Sequence, residues 1–283
     1  MELKELKKNG KNYFEAGKYE EAIVDLSKFL KIEPNNSFSL KYRGASYGKL
    51  QKYKYALEDL NKSVEIDPND EFALQYRGAT YRMLKKYDKA LEDLNKVLKF
   101  DPNNVFALWN RGETYCWINK FDESLADLNK ALEIDPSNAK ALGSRGETYR
   151  KMNKYAEAIS DLDKSLENLE FNKNESVLGN RGLTHLNMEN DELAIADFNK
   201  ILELYPNEIY ALRGRGEAYL FMKRYDDALA DLNKLLGFEP NDATALWYRG
   251  QVHLIMKRYV DALVDLNKAI ELEPKLKQLI HKR

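Results

Sequence analysis

The sequence predicts an all-α solenoid of antiparallel helix pairs, and three observations carry that prediction. Gly10, Gly44, Gly78, Gly112 and Gly146 recur every 34 residues, Gly182 follows after 36, and Gly216 and Gly250 restore the step, giving eight copies of one unit. All seven prolines, Pro34, Pro68, Pro102, Pro136, Pro206, Pro240 and Pro274, lie 24 residues after one of these glycines. Apolar residues inside each unit follow a helical period, with no strand-like alternation.

The unit is clearest from Glu71 to Asn104. Leu74, Gly78 and Tyr81 form an apolar stripe on a first helix, and Ala90, Leu91, Leu94, Val97 and Leu98 form one on a second. The corner Lys85-Lys86-Tyr87 joins them. Proline cannot continue a helix, so Pro102 marks the end of the second, and a polar residue two positions on caps the next: Asn36, Asp70, Asn104, Asn138 and Asp242 hold that place. The glycine lets two backbones approach, and a small residue on the facing helix, Ala22, Ala56, Ala90, Ala158, Ala194, Ala228 or Ala262, with Ser124 in the fourth copy, serves the same end.

One pair cannot bury both of its stripes, so pairs must stack, and stability belongs to the array. The predicted units are 3–36, 37–70, 71–104, 105–138, 139–174, 175–208, 209–242 and 243–274 of a single array over 1–283. Residues 275–283 form a capping segment with Leu276, Leu279 and Ile280 on one helical face. The fifth junction, ENLEFNKNES, gains two residues and lacks proline. It reads either as a flexible junction near 168–176 or as a harmless insertion.

The unit resembles the tetratricopeptide repeat, which sets a large apolar residue, Leu-Gly, Tyr, Ala, an aromatic or Leu, and Pro at fixed places in its length. The third copy holds Leu74, Arg77-Gly78, Tyr81, Ala90, Leu94 and Pro102 there. The resemblance implies a right-handed superhelix, with first helices lining a concave groove and second helices on the convex face.

The departure from the family pattern is arginine in place of leucine before the glycine, at Arg43, Arg77, Arg111, Arg145, Arg181, Arg215 and Arg249. Sixteen residues after each stands Asp59, Asp93, Asp127, Asp161, Asp197, Asp231 or Asp265, and Asp25 makes an eighth aspartate. A guanidinium near a packed face is costly without an acceptor, so the pattern predicts a ladder of ion pairs. The first copy has Asn9 at the arginine's place and still keeps Asp25, which predicts that each Asp pairs with the Arg of the following unit. A ligand-binding arginine row is the other reading.

Composition excludes several classes of function. Charged residues make up 32% of the chain yet sum to net -1, and the isoelectric point near 6.4 weighs against nucleic acid as partner. Cys116 stands alone, so an internal disulfide is excluded and a reducing compartment fits. No long apolar run or leader is visible, and the expectation is a cytoplasmic or nuclear protein without a membrane span. There is no phosphate-cradling loop, no metal-spaced Cys/His cluster and no nucleophilic triad. The expectation is therefore no enzyme, no cofactor and no metal. His185 and His253 occupy the tyrosine place of their units.

What remains is the concave face that the resemblance implies. Its mapped positions hold Phe38, Phe72, Phe106 and Tyr210 at one recurring place and Tyr42, Tyr76 and Tyr248 at another, with Trp109, Trp117 and Trp247 nearby. Eleven cations, Lys4, Lys7, Lys8, Lys11, Lys41, Lys49, Arg82, Lys140, Arg150, Lys151 and Arg213, face Glu15, Glu113, Glu147 and Glu217, a net of +7. The far end is apolar, through Leu183, Leu186, Leu220, Phe221, Leu254 and Ile255. Such a face suits an acidic peptide or protein segment with apolar anchors. The chaperone-tail clamp known in the family is not matched, since its places hold Lys7, Lys11, Tyr42, Phe72 and Tyr76 and only Lys7 agrees. Three readings stand: a non-enzymatic protein-interaction scaffold, a nucleic-acid or polyanion binder, and a regulatory part of a larger protein that self-associates through its C-terminal end.

Overall fold

The computed structural model describes residues 2–168 and 175–276, and the described residues form sixteen α-helices and no strand. They run in consecutive pairs: α1 and α2 (Glu2–Glu15, Tyr19–Leu30), α3 and α4 (Ser37–Lys49, Tyr53–Ile66), α5 and α6 (Glu71–Met83, Tyr87–Phe100), and α7 and α8 (Val105–Trp117, Phe121–Ile134). Then follow α9 and α10 (Ala139–Lys151, Tyr155–Glu167), α11 and α12 (Glu175–Asn187, Asp191–Leu204), α13 and α14 (Ile209–Phe221, Tyr225–Phe238), and α15 and α16 (Ala243–Ile255, Tyr259–Leu272). The chain is thus the all-α solenoid of helix pairs that its repeats predict. Contacts gather it into two compact units, Met1–Arg145 and Gly146–Arg283. Of the junction expected near 168–176, residues 169–174 lie outside the described residues, as do Leu279 and Ile280 of the expected cap.

Local chemistry sets the helix limits. The side-chain oxygens of Asn36, Asp70, Asn104, Asn138 and Asp242 accept from the backbone N–H three residues on, at 2.8 to 3.1 Å, so every cap expected from the sequence is in place. The corner inside each pair has a device that the sequence reading missed. Gln51, Lys85, Asn119, Asn153, Glu189, Lys223 and Lys257 all lie at φ between 57° and 62°, the left-handed region, where the first pair has Gly17. At the third corner Lys85 N–H donates to the Arg82 carbonyl and Lys86 N–H to that of Tyr81, a Schellman closure that turns the chain straight into the next helix.

The repeating glycine works by contact with leucine. A Cβ at Gly112 would lie 2.8 Å from Leu128 Cγ, and one at Gly78 would lie 2.9 Å from Leu94 Cγ. Leu94 and Leu128 are the leucines of the repeated Asp-Leu-Asn-Lys, and both are fully buried. Around them the apolar stripes close into cores that run from pair to pair, Leu60, Leu74, Leu94, Leu108 and Leu128 in the first unit and Phe198, Leu212, Leu232 and Leu246 in the second.

The ion pairs exist but run the other way from the expectation. Arg43 forks onto Asp59 of its own pair, with Nε to Oδ2 at 2.6 Å and Nη2 to Oδ1 at 2.8 Å, and does not reach Asp25. Arg77, Arg111, Arg181, Arg215 and Arg249 grip Asp93, Asp127, Asp197, Asp231 and Asp265 in the same way. Asp25, expected to serve Arg43, pairs with Lys28 at 3.4 Å, and Asp265, expected to lack a partner, holds Arg249. The geometric reason is that a sixteen-residue step carries the chain around the corner and back, so Arg and Asp face each other within one pair.

Contact across the junction falls to the third nitrogen. Nη1 of Arg111 donates to Asn95 at 2.7 Å, that of Arg145 to Asn129 at 2.8 Å, that of Arg215 to Asn199 at 2.6 Å and that of Arg249 to Asn233 at 2.8 Å. Ser27 and Asp163 take the asparagine's place for Arg43 and Arg181. In Asp-Leu-Asn-Lys, then, Asp binds its own arginine, Leu fills the glycine's space and Asn accepts the next arginine. The Lys reaches back to the carbonyl of the preceding proline: Lys96 to Pro68, Lys234 to Pro206 and Lys268 to Pro240. The Asp127, Asp231 and Asp197 carboxylates hold the guanidiniums of Arg111, Arg215 and Arg181 above their ordinary pKa, against the opposing effect of burial.

Candidate functional site

In the first unit the aromatic side chains of α1, α3, α5 and α7 touch one another in an unbroken series. Ring centroids are 4.8 Å apart for Phe38 and Tyr42, 4.7 Å for Tyr42 and Phe72, 4.6 Å for Phe72 and Tyr76, 5.1 Å for Tyr76 and Phe106, and 5.8 Å for Phe106 and Trp109. Phe14 anchors the row from below, against Tyr42, Phe72 and Tyr76. The sequence placed most of these residues on one face, and their contact follows from the repeat: positions 30 residues apart meet across adjacent first helices, and positions three or four apart meet along one. Burial pushes the Tyr76 phenol up to about 12, so it stays neutral.

Cations lie over this row. Lys7 Nζ stands 4.6 Å from the Phe38 ring, Lys41 5.6 Å from Phe72, Lys49 5.6 Å from Tyr76 and Lys140 4.9 Å from Trp109. Their states differ. Lys41 binds Asp70 at 2.5 Å, Lys11 binds Glu15 at 3.4 Å, and Arg82, whose side chain is 9% exposed, holds Glu113 at 2.7 Å and Asn110 at 3.2 Å. Lys7 and Lys49 have no carboxylate partner among the described residues. Lys49 overlooks a small cavity of about 210 Å³ between Tyr76, Phe106 and Trp109. Burial, and then the charge of Lys140, lower its pKa, which means that its positive charge lacks the compensation the other cations have.

Counting charges along the sequence overlooked two acceptors. Asp70 and Asp242 are helix caps, yet their second oxygens take Lys41 and Arg213, so part of the counted positive charge is spent inside the repeat. In the second unit Arg150 donates to Asn180 at 3.2 Å, and Tyr210 donates to Glu175, which with burial raises its pKa. Phe221 and Trp247 line a larger cavity at the last pair, with Trp247 itself 5% exposed. Trp117 ends α7 at 47% exposure. The two ring histidines take the tyrosine's place as expected, and burial lowers the pKa of each.

The described residues hold no cluster of His, Cys, Asp or Glu suited to a metal, and no helix long and apolar enough to cross a membrane. Models of the tetratricopeptide repeat match residues 10–36, 37–70, 72–104, 104–170, 175–208 and 213–275, nearly the whole chain. The chain belongs to the tetratricopeptide repeat family. Tetratricopeptide repeats build protein-interaction scaffolds, and this chain is one in architecture. Among solved structures it is similar to the Cut9-Hcn1 hetero-tetramer of APC/C, with 20% identity and a TM-score of 0.76 over 90% of this chain, which spans 50% of that one. It is also similar to Pseudomonas aeruginosa pilF, with 20% identity and a TM-score of 0.61 over 77% of this chain and 96% of that one. A third is YrrB, described as a tetratricopeptide repeat protein with an unusual peptide-binding site, with 24% identity and a TM-score of 0.54 over 66% of this chain and 96% of that one. At these identities the likeness is one of fold. No protein of curated function matches the sequence.

Proposed function

We propose that this tetratricopeptide repeat chain is a non-enzymatic scaffold whose first unit binds an acidic, extended segment of a partner protein along the aromatic row. The observation that carries the proposal is the pairing state of the lysines. Lys7 and Lys49 sit over rings and lack carboxylates, whereas Lys41 between them is already neutralised by Asp70. A bound segment would supply acidic side chains at Lys7 and Lys49 and an apolar one into the cavity beside Trp109. Its backbone would lie over half-buried rings, which offer area at little entropic cost.

The test is a fluorescence anisotropy titration with a labelled peptide in which Asp and Glu flank Leu and Phe, using the wild type, Lys7→Glu and Lys49→Glu. Each reversal should weaken binding about tenfold while leaving the helical circular dichroism intact, since neither lysine has an internal carboxylate to lose. Affinity should also fall with added salt as exposed charges are screened. Undiminished binding by Lys49→Glu would reject the row as the site. Equal binding of a single-stranded oligonucleotide would favour a polyanion binder instead.

A further inference from the structure

The last helix pair carries a surface that its predecessors cover. Leu229 on α14 is 7% exposed and Leu220 on α13 is 4% exposed, because Val252 and Met256 of α15 pack over them. Their counterparts one repeat later, Leu263 and Leu254, are 62% and 50% exposed. Between them opens a cavity of about 720 Å³ whose walls include Trp247, Ile270 and Asn267.

Asn267 identifies what would fit there. It is the asparagine of the last Asp-Leu-Asn-Lys, and at the earlier junctions Asn95, Asn129, Asn199 and Asn233 each accept Nη1 of an arginine on the following first helix. All those helices carry Leu-x-x-Arg-Gly, as in Leu246 to Gly250, so that the leucine enters the groove while the arginine reaches the asparagine. Asn267 is exposed, and no such arginine meets it among the described residues.

A second feature sets this end apart. Val260 is 78% exposed and Val264 is also exposed, on the side where α14 has Asp226 and Ala230 and α8 has Asp122 and Ala126. Apolar residues thus continue from the cavity onto an outer face that is polar or small in those pairs, which is the mark of an interface.

We infer that the open face of α15 and α16 docks an amphipathic helix from another protein, one bearing Leu-x-x-Arg followed by a small residue. Its leucine would fill the cavity beside Leu263 and Ile270, and its guanidinium would donate to Asn267. A second copy of this chain is a poorer occupant. Its first helix has Asn9 where the arginine is needed, and its later arginines donate to their own Asp and Asn partners. This surface involves neither Lys7 nor Lys49 and does not depend on the acidic-segment reading.

The test uses the full chain and a fluorescent, helix-stapled peptide with the sequence of α15, since an isolated helix of that length would not hold its shape. Saturable binding is expected, and Leu for the peptide's arginine should weaken it about tenfold. Asn267→Leu in the chain should weaken it by the same factor, and combining the two changes should add nothing further, because each removes the same bond. Leu263→Asp should abolish binding. Absence of saturable binding, or losses that simply multiply in the double variant, would overturn the proposal. So would a concentration-dependent dimer in sedimentation that Leu263→Asp dissolves, which would assign the face to a second copy. Asn267 is exposed, so its variant reads binding without a folding defect.

Discussion

The two units share one frame and differ in what the frame displays. In the first, Arg111 forks onto Asp127 and reaches Asn95; in the second, Arg215 forks onto Asp231 and reaches Asn199, with distances between 2.6 and 2.7 Å throughout. Yet the first-helix face of the first unit is a row of touching rings under lysines, while the counterpart positions of the second carry Ser176, Asn180, Gly214 and Thr244 beside Tyr210 and Tyr248. Residues that bind helix to helix repeat with few changes, such as Ser27 and Asp163 for the junction asparagine, and residues that look outward vary more. A repeat therefore separates stability from recognition by position.

The strongest way to break that comparison is to cut the frame in each unit. Arg111→Leu and Arg215→Leu should each destabilise by about 3 to 5 kcal/mol, because Asp127 and Asp231 would stay buried with a charge and no partner. Urea unfolding followed by circular dichroism measures both. Equal losses would support a common frame. A loss near the 0 to about 1 kcal/mol of a surface pair in either unit would show that its ladder is ornamental there.

How much of this was legible in the sequence follows from the same division. The helix pairs, the caps at Asp70 and Asn104 and the need for Gly78 could be read directly, since spacing, proline and a missing side chain act locally. The direction of the ion pairs could not be read, because Arg43 has Asp25 eighteen residues before it and Asp59 sixteen after, similar sequence distances that give no hint of the corner's geometry. Parsimony over Asn9 chose Asp25 wrongly. The junction asparagine was visible in every Asp-Leu-Asn-Lys, but nothing local marks it as an acceptor. Nor did the mapped face reveal that Asp70 neutralises Lys41, since a capping residue was assigned one task and performs two.

A smaller effect sharpens the distinction between the bonds within a pair and those across a junction. Asn95→Ala and Asn233→Ala remove only the third bond of Arg111 and Arg249, which keep their carboxylates. Each should cost about 1 kcal/mol, and the exposed guanidinium edge can turn to water. The informative readout is cooperativity. Loss of the junction bond should lower the denaturant slope by letting neighbouring pairs unfold separately, whereas an unchanged slope would show that apolar stacking alone couples them.

The smallest effect belongs to the second unit alone. At the place where the first unit has Tyr47, Tyr81 and Tyr115, the second has His185 and His253 alongside Tyr149 and Tyr219, and burial holds both imidazoles below their ordinary 6.5. Asp197 and Asp163 favour the charged form of His185, Arg181 opposes it, and burial prevails. The unfolded chain takes up a proton near 6.5 that the folded chain refuses, so the histidines stabilise the fold above that pH and weaken it as pH falls below. Melting temperature should accordingly drop between about pH 7.5 and about pH 5.5 in the wild type. In the double variant His185→Tyr, His253→Tyr the drop should shrink, because tyrosine does not titrate in that range. An identical pH slope in the two proteins would mean that the acid sensitivity lies in carboxylates common to both units and not in the two histidines.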